Sequence, residues 1–110
     1  MLAAEHDWNP PVEFHVVVDL EASPPTLEVW GELDLASVSA FRDALNQVID
    51  SGVQQLIIDL THVTFLGSTG IRELIRARRH INRVEIRAST PIVRRALASA
   101  SLTDRFAIIE

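Results

Sequence analysis

The stretch Phe65-Leu66-Gly67-Ser68-Thr69-Gly70-Ile71 combines residue types and a spacing that could bind an anion. Two glycines bracket two adjacent hydroxyls where a buried-strand pattern gives way to a helical pattern. Backbone N–H groups are free at a helix start and the positive end of the dipole lies there, so a phosphate or carboxylate would be stabilised. The alternative is that Ser68 or Thr69 only caps the helix, which contributes about 1 kcal/mol. The spacing alone favours the capping interpretation.

The rest of the sequence offers little for catalysis or metal binding. Cysteine and lysine are absent, which excludes disulfides, thiolate ligands and lysine-dependent chemistry. The four histidines lie far apart without the spacing of a metal site. Asp34 and Asp59 could be imagined as a carboxylate pair, but an aspartate that ends a strand is more often a loop acceptor. We therefore predict no catalytic residue, no metal and no cofactor.

Charge is distributed unevenly along the chain. Residues 1–67 contain one arginine and eleven acidic residues, whereas residues 68–110 contain nine arginines and four acidic residues. The net charge of −5 argues against general nucleic-acid binding. Arg72, Arg76 and Arg79 fall on one face of the predicted second helix, opposite its apolar face. Such a stripe either steers a complementary partner or is only a solvated face.

The N-terminal region and the apolar runs bear on location. No apolar run approaches the roughly 20 residues that span a bilayer, and the first residues lack the pattern of a signal peptide. We therefore expect a cytoplasmic protein without a membrane partner. Pro10 and Pro11 end a segment without a core pattern, so residues 1–11 are predicted to be a flexible tail and residues 12–110 a single domain.

Hydrophobic periodicity predicts the elements that position the glycine-serine stretch. Helical spacing follows Ser37, a suitable N-cap, and Gly52 stands where a helix would end. In order, the predicted elements are strands at 14–20 and 26–32, a helix at 37–50, a strand at 55–60, a helix at 68–80, a strand at 83–88, a helix opening at 90 and a strand at 106–109. The order β-β-α-β-α-β-α-β predicts an α/β fold, its sheet mostly parallel with an antiparallel N-terminal hairpin.

Three segments in this order resemble the STAS domain of bacterial anti-sigma-factor antagonists. Gly31-Glu32-Leu33-Asp34 is similar to the family's G-E-L-D, residues 60–71 (LTHVTFLGSTGI) to the segment with its D-S-S-G signature, and residues 89–95 (STPIVRR) to the segment that opens the third helix. The resemblance covers roughly residues 12–110. It implies a single STAS-like domain that binds a partner protein and does not catalyse a reaction.

The resemblance also implies a switch. In that family the first serine of the signature is phosphorylated by the anti-sigma factor, which is itself a serine kinase, and phosphorylation ends the capture of that factor. Ser68 matches this serine, with Thr69 as its neighbour, and Asp34 matches an aspartate near the phosphorylation site. The residues expected to contact the partner are Asp34, Gly67, Ser68, Thr69, Gly70, Arg72 and Arg76.

One residue departs from the signature and supports an alternative. Gly67 stands where the family has an aspartate, so a carboxylate beside the acceptor serine is missing. The alternative is a STAS interaction subunit without a phosphorylation switch, in a signalling scaffold or a lipid-transport complex.

Overall fold

The computed structural model describes residues 13–88, 90–100 and 107–109. The predicted tail at residues 1–11 lies outside them. In chain order the elements are β1 (His15–Asp19), β2 (Thr26–Leu33), α1 (Val38–Asp50), β3 (Gln55–Leu66), α2 (Ser68–His80), β4 (Arg83–Arg87), α3 (Pro91–Ser99) and β5 (Ala107–Ile109). The predicted order of strands and helices is confirmed.

The described strands form one mixed sheet in the order β1-β2-β3-β4-β5. β1 pairs with β2 in the antiparallel sense. β2 with β3, β3 with β4 and β4 with β5 are parallel pairs. The predicted parallel sheet with an antiparallel N-terminal hairpin is therefore confirmed, and the carboxyl ends of the parallel strands meet at one edge.

The central strand is longer than its apolar run. The sequence predicts a strand that ends at Leu60, but β3 continues to Leu66. The second half of β3 pairs with the second half of β2, where Gly31 lies opposite Val63 and Leu33 lies opposite Leu66. In this part of β3, polar side chains at exposed positions interrupt the apolar run. The backbone pairing with β2 nevertheless continues.

One side of the sheet carries the core. Leu27, Val29 and Leu33 of β2 and Leu56, Ile58 and Leu60 of β3 belong to a single buried apolar cluster that also receives side chains from all three helices. α1 contacts β1 and β2, α2 contacts α1 and β4, and α3 contacts β3. Burial of a side chain of this size contributes about 1.5–3 kcal/mol, so the core holds the three helices against the sheet.

The ends of α1 agree with the sequence pattern. Ser37 is its N-cap residue, and the Ser37 hydroxyl donates to the Glu32 carbonyl over 2.6 Å instead of capping the helix. Gly52 follows the helix with φ of +80° and donates its N–H to the Ile49 carbonyl. A positive φ at this position favours glycine.

Candidate functional site

The carboxyl ends of β2 and β3 bring together two segments that are distant in sequence. Leu33 and Leu66 are paired in register, and the Gly67 N–H donates to the Leu33 carbonyl over 2.9 Å. Asp34 and Gly67 therefore lie side by side where the two strands end. This edge holds the predicted site.

Asp34 organises the turn that leads into α1. Its Oδ1 accepts hydrogen bonds from the N–H groups of Ala36 and Ser37 at 3.0 and 3.2 Å. Asp59, by contrast, lies in the middle of β3, opposite Glu28, and its Oδ2 is 3.6 Å from Nη1 of Arg87. The two aspartates thus lie in different parts of the sheet, and Asp34 has the loop-acceptor role that the sequence favoured.

Neither Ser68 nor Thr69 is the N-cap of α2, so that sequence-based alternative is wrong. The N-cap is Gly67, with φ of −91° and ψ of 175° and no side chain to cap the helix. Its carbonyl accepts the first helical hydrogen bond, from the Ile71 N–H. Ser68 is the first helical residue and is exposed, whereas Thr69 is half-buried.

Gly70 is needed because its helix lies directly on the strand ends. A Cβ at this position would be 2.7 Å from Cγ of Leu33 and 2.9 Å from Cδ1 of Leu66. These distances are shorter than real contacts of a Cβ atom allow, and Gly70 itself is buried. The absent side chain lets the first turn of α2 approach the sheet closely, which holds the Ser68 backbone in place.

Two exposed apolar side chains belong to the segments that flank Gly67. Leu35, next to Asp34, is 79% exposed, and Phe65 is 46% exposed. A Cβ on Gly67 would lie 3.2 Å from Cε2 of Phe65 and 3.8 Å from Cα of Asp34. The sequence analysis named Phe65 only as part of the glycine-serine stretch and did not single out Leu35. The apolar character of both side chains was visible in the sequence, but their exposure was not.

The predicted arginine stripe is not uniform. Arg72 and Arg79 are exposed. Arg76 is half-buried: its Nε donates to Oε1 of Glu73 over 2.9 Å, and its Nη2 is buried with no hydrogen-bond partner among the described residues. Arg76 is therefore not part of a merely solvated face, because Glu73 draws its guanidinium group against the helix.

Among the residues that the structure describes, Glu73 is a buried charged residue that the sequence analysis did not single out. Its side chain is 7% exposed, and its Oε2 accepts from Nε of Arg42 on α1 over 3.2 Å. Its position three residues after Gly70 and four before Ala77 places it on the inward face of α2, which was the available signal. One carboxylate thus joins two arginines from two helices.

Trp30 links two histidines that lie far apart in sequence. Its ring stacks on His62 with centroids 3.8 Å apart, and His15 stacks nearby with centroids 5.2 Å apart. The three residues are register partners on β1, β2 and β3. Within the described part of the chain, no three histidine or carboxylate side chains converge as metal ligands, and no described helix is long and apolar enough to cross a membrane.

Comparison with known proteins gives one family and several relatives. The family model described as "Mlab, STAS domain" matches residues 16–110. The anti-sigma-F factor antagonist RsfB is 40% identical over 48 residues in two strains of Mycobacterium tuberculosis, which is 44% of this chain. The match spans 39% of the length of these relatives.

Solved structures share the fold. An anti-sigma factor antagonist from Mycobacterium paratuberculosis has a TM-score of 0.82 at 25% identity, over 88% of this chain and 86% of that one. SpoIIAA in its unphosphorylated form has a TM-score of 0.66 at 18% identity, over 89% of both chains. Because a single family model covers nearly all of the sheet and the helices, the chain belongs to the STAS-domain family.

Proposed function

We propose that this chain is an anti-sigma-factor antagonist that captures an anti-sigma factor with serine kinase activity and is released from it by phosphorylation at Ser68. The observation that carries the proposal is the exposure of Ser68 as the first residue of α2, beside the strand ends that bear Asp34 and Phe65. The names of the similar mycobacterial proteins support this role. Such a protein works by binding in the cytoplasm, and the sigma factor is freed when its inhibitor is captured.

The contact surface combines a polar acceptor with apolar anchors. Leu35 and Phe65 are the exposed apolar side chains of the segments around Gly67, and removal of apolar surface from water on binding is favourable. Gly70 lets the helix approach the strand ends closely and so holds the Ser68 backbone from the inner side, and half-buried Thr69 is its neighbour. Asp34 holds the neighbouring turn through backbone hydrogen bonds.

A phosphate at Ser68 would be stabilised by the helix but would weaken partner binding. Phosphorylation adds a charge of about −1.5 to −2 and three acceptor oxygens. The first turn of α2 accepts this charge through its dipole and its free N–H groups, and Arg72 lies one turn further along. A partner that packs against the unmodified hydroxyl meets added volume and charge, and a coupling of about 1–3 kcal/mol changes its affinity roughly 5- to 150-fold.

The test is capture followed by reconstitution. Wild-type and Ser68→Ala proteins serve as baits for an extract of the native organism, and bound proteins are identified by mass spectrometry. We expect a serine kinase of the anti-sigma type on both baits, with ATP-dependent loss of the partner from the wild type alone. Retention of the purified kinase by wild-type protein that carries phosphate on Ser68 would refute the switch.

The second candidate is a STAS interaction subunit without a switch. The observation that favours it is Gly67, which leaves Ser68 without an adjacent carboxylate, and the matching family model is described by the name Mlab. The same experiment separates the two: a stable partner that is not a kinase, unaffected by ATP, supports this candidate.

A further inference from the structure

A groove runs along the arginine face of α2. Its volume is about 340 Å³, and it is lined by Arg72, Glu73, Ile75, Arg76 and Arg79. Three guanidinium groups therefore border it, against a single carboxylate. The first residue of its lining, Arg72, lies one helical turn after Ser68.

The charge of this groove is not balanced by its own lining. Glu73 is nearly buried and is already bonded to Arg76 and to Arg42, so its one negative charge is shared by two arginines. Arg72 and Arg79 are exposed and make no ion pair with any described residue. An excess of positive charge remains along the groove.

The arginines of β4 provide a contrast. Arg83 pairs with Glu85 over 3.2 Å, and Arg87 lies 3.6 Å from Asp59. On the sheet, therefore, each of these arginines has its own carboxylate. Two guanidinium groups without an ion pair among the described residues, those of Arg72 and Arg79, thus border one groove on α2, whereas Arg83 and Arg87 on the sheet are each paired.

We infer that this groove binds an acidic segment of the protein partner, an inference that rests on the proposed function for the existence of that partner. Charge complementarity selects the occupant, since guanidinium groups bind carboxylates with a planar, bidentate geometry. Arg72 and Arg79 are seven residues apart, which is about 10 Å along a helix axis. Carboxylates at the same spacing on a partner segment fit both, while Glu73 holds Arg76 in place and Ile75 supplies apolar contact.

The probe is a labelled alanine-based helical peptide with glutamates at positions i and i+7, compared with the same peptide carrying glutamines. Binding to the whole chain is followed by fluorescence anisotropy at several salt concentrations. The test variant is Arg72→Gln with Arg79→Gln. The matched control is Arg83→Gln with Arg95→Gln, which changes the net charge equally at exposed sites outside the groove, and circular dichroism checks that each variant is folded.

We expect the glutamate peptide to bind the wild type and to lose affinity at least fivefold in the test variant, but less than twofold in the control. The glutamine peptide should bind at least fivefold more weakly than the glutamate peptide. Equal losses in both double variants, or no binding of the glutamate peptide to the wild type, would overturn the inference. If inorganic phosphate displaces the peptide at matched ionic strength, the groove binds a free anion instead. If the wild type self-associates and the test variant does not, the groove binds a second copy of the chain instead.

The groove assignment and the antagonist role can fail independently of each other. If a captured anti-sigma kinase binds the Arg72→Gln, Arg79→Gln variant as tightly as the wild type, the groove assignment fails and the antagonist role stands. If no kinase is captured but the peptide result holds, the antagonist role fails and the groove remains a site for acidic segments.

Discussion

The inner side of the first turn of α2, which faces the strand ends, allows less added side-chain volume than the outer side, which faces solvent. On the inner side, Gly70 faces Leu33 and Leu66 without room for a methyl group. On the outer side, Gly67 has an ordinary backbone conformation, a Cβ there would come within 3.4 Å only of the tip of Phe65, and Ser68 is exposed. A rigid backbone and a replaceable side chain therefore coexist within four residues, as a modification site requires.

The largest expected effect comes from filling the inner side. Gly70→Ala should lower the free energy of unfolding by about 2 kcal/mol, because a Cβ there overlaps two core leucines and overpacking typically costs about 1–3 kcal/mol. Gly67→Ala is the matched control, since it adds the same methyl on the outer side and should cost about 0.5 kcal/mol through poorer capping. Urea unfolding compares the two, and equal losses would remove the distinction between the sides.

The ion pairs of Glu73 test whether the inner side of α2 is also anchored one turn further along the helix. Glu73→Gln should lower the free energy of unfolding by about 1.5 kcal/mol, because hydrogen bonds to charged groups are worth about 1.5–3 kcal/mol and both arginines are partly solvated. Glu85→Gln is its control, as that residue pairs with a largely exposed Arg83. It should change stability by less than about 0.5 kcal/mol. A Glu73 variant as stable as the control would show that the ion-pair network does not anchor α2.

Ser68 tests whether the outer side of the first turn can change without loss of stability. Ser68→Asp should weaken partner binding at least fivefold, about 1 kcal/mol, while unfolding changes by no more than about 0.5 kcal/mol because an acid is favourable at a helix start. Ser68→Asn has nearly the same size without the charge and should bind more tightly than the aspartate variant. Calorimetry with the purified anti-sigma factor measures both. Equal affinities of wild type and Ser68→Asp, with unchanged circular dichroism, would contradict the switch.

Gly67 gives the smallest expected effect. Gly67→Asp restores the carboxylate of the family signature and should raise the initial rate of Ser68 phosphorylation by the cognate kinase at least twofold. Gly67→Asn also caps the helix but lacks the charge, so it separates helix stabilisation from recognition. Phosphate incorporation over time is the measurement. A rate that is unchanged or slower in the aspartate variant would mean that the glycine does not limit modification.

The order of elements was available from the sequence because it depends on local spacing. Apolar alternation marked the strands, Ser37 and Gly52 marked the ends of α1, and the helical spacing that follows Gly67 placed Ser68 at the start of a helix. Each of these signals lies within a few residues of the feature that it predicts, so no knowledge of the fold was required.

The tertiary structure alone decided which distant residues meet. Pairing with β2 extends β3 to Leu66, the register of three strands stacks Trp30 on His62, and the approach of α2 to α1 buries Glu73 between two arginines. These contacts depend on strand register and helix packing, which sum many small interactions over the whole core. A local pattern therefore identified Ser68, but only the folded chain separated the anchored Arg76 from the unpaired Arg72.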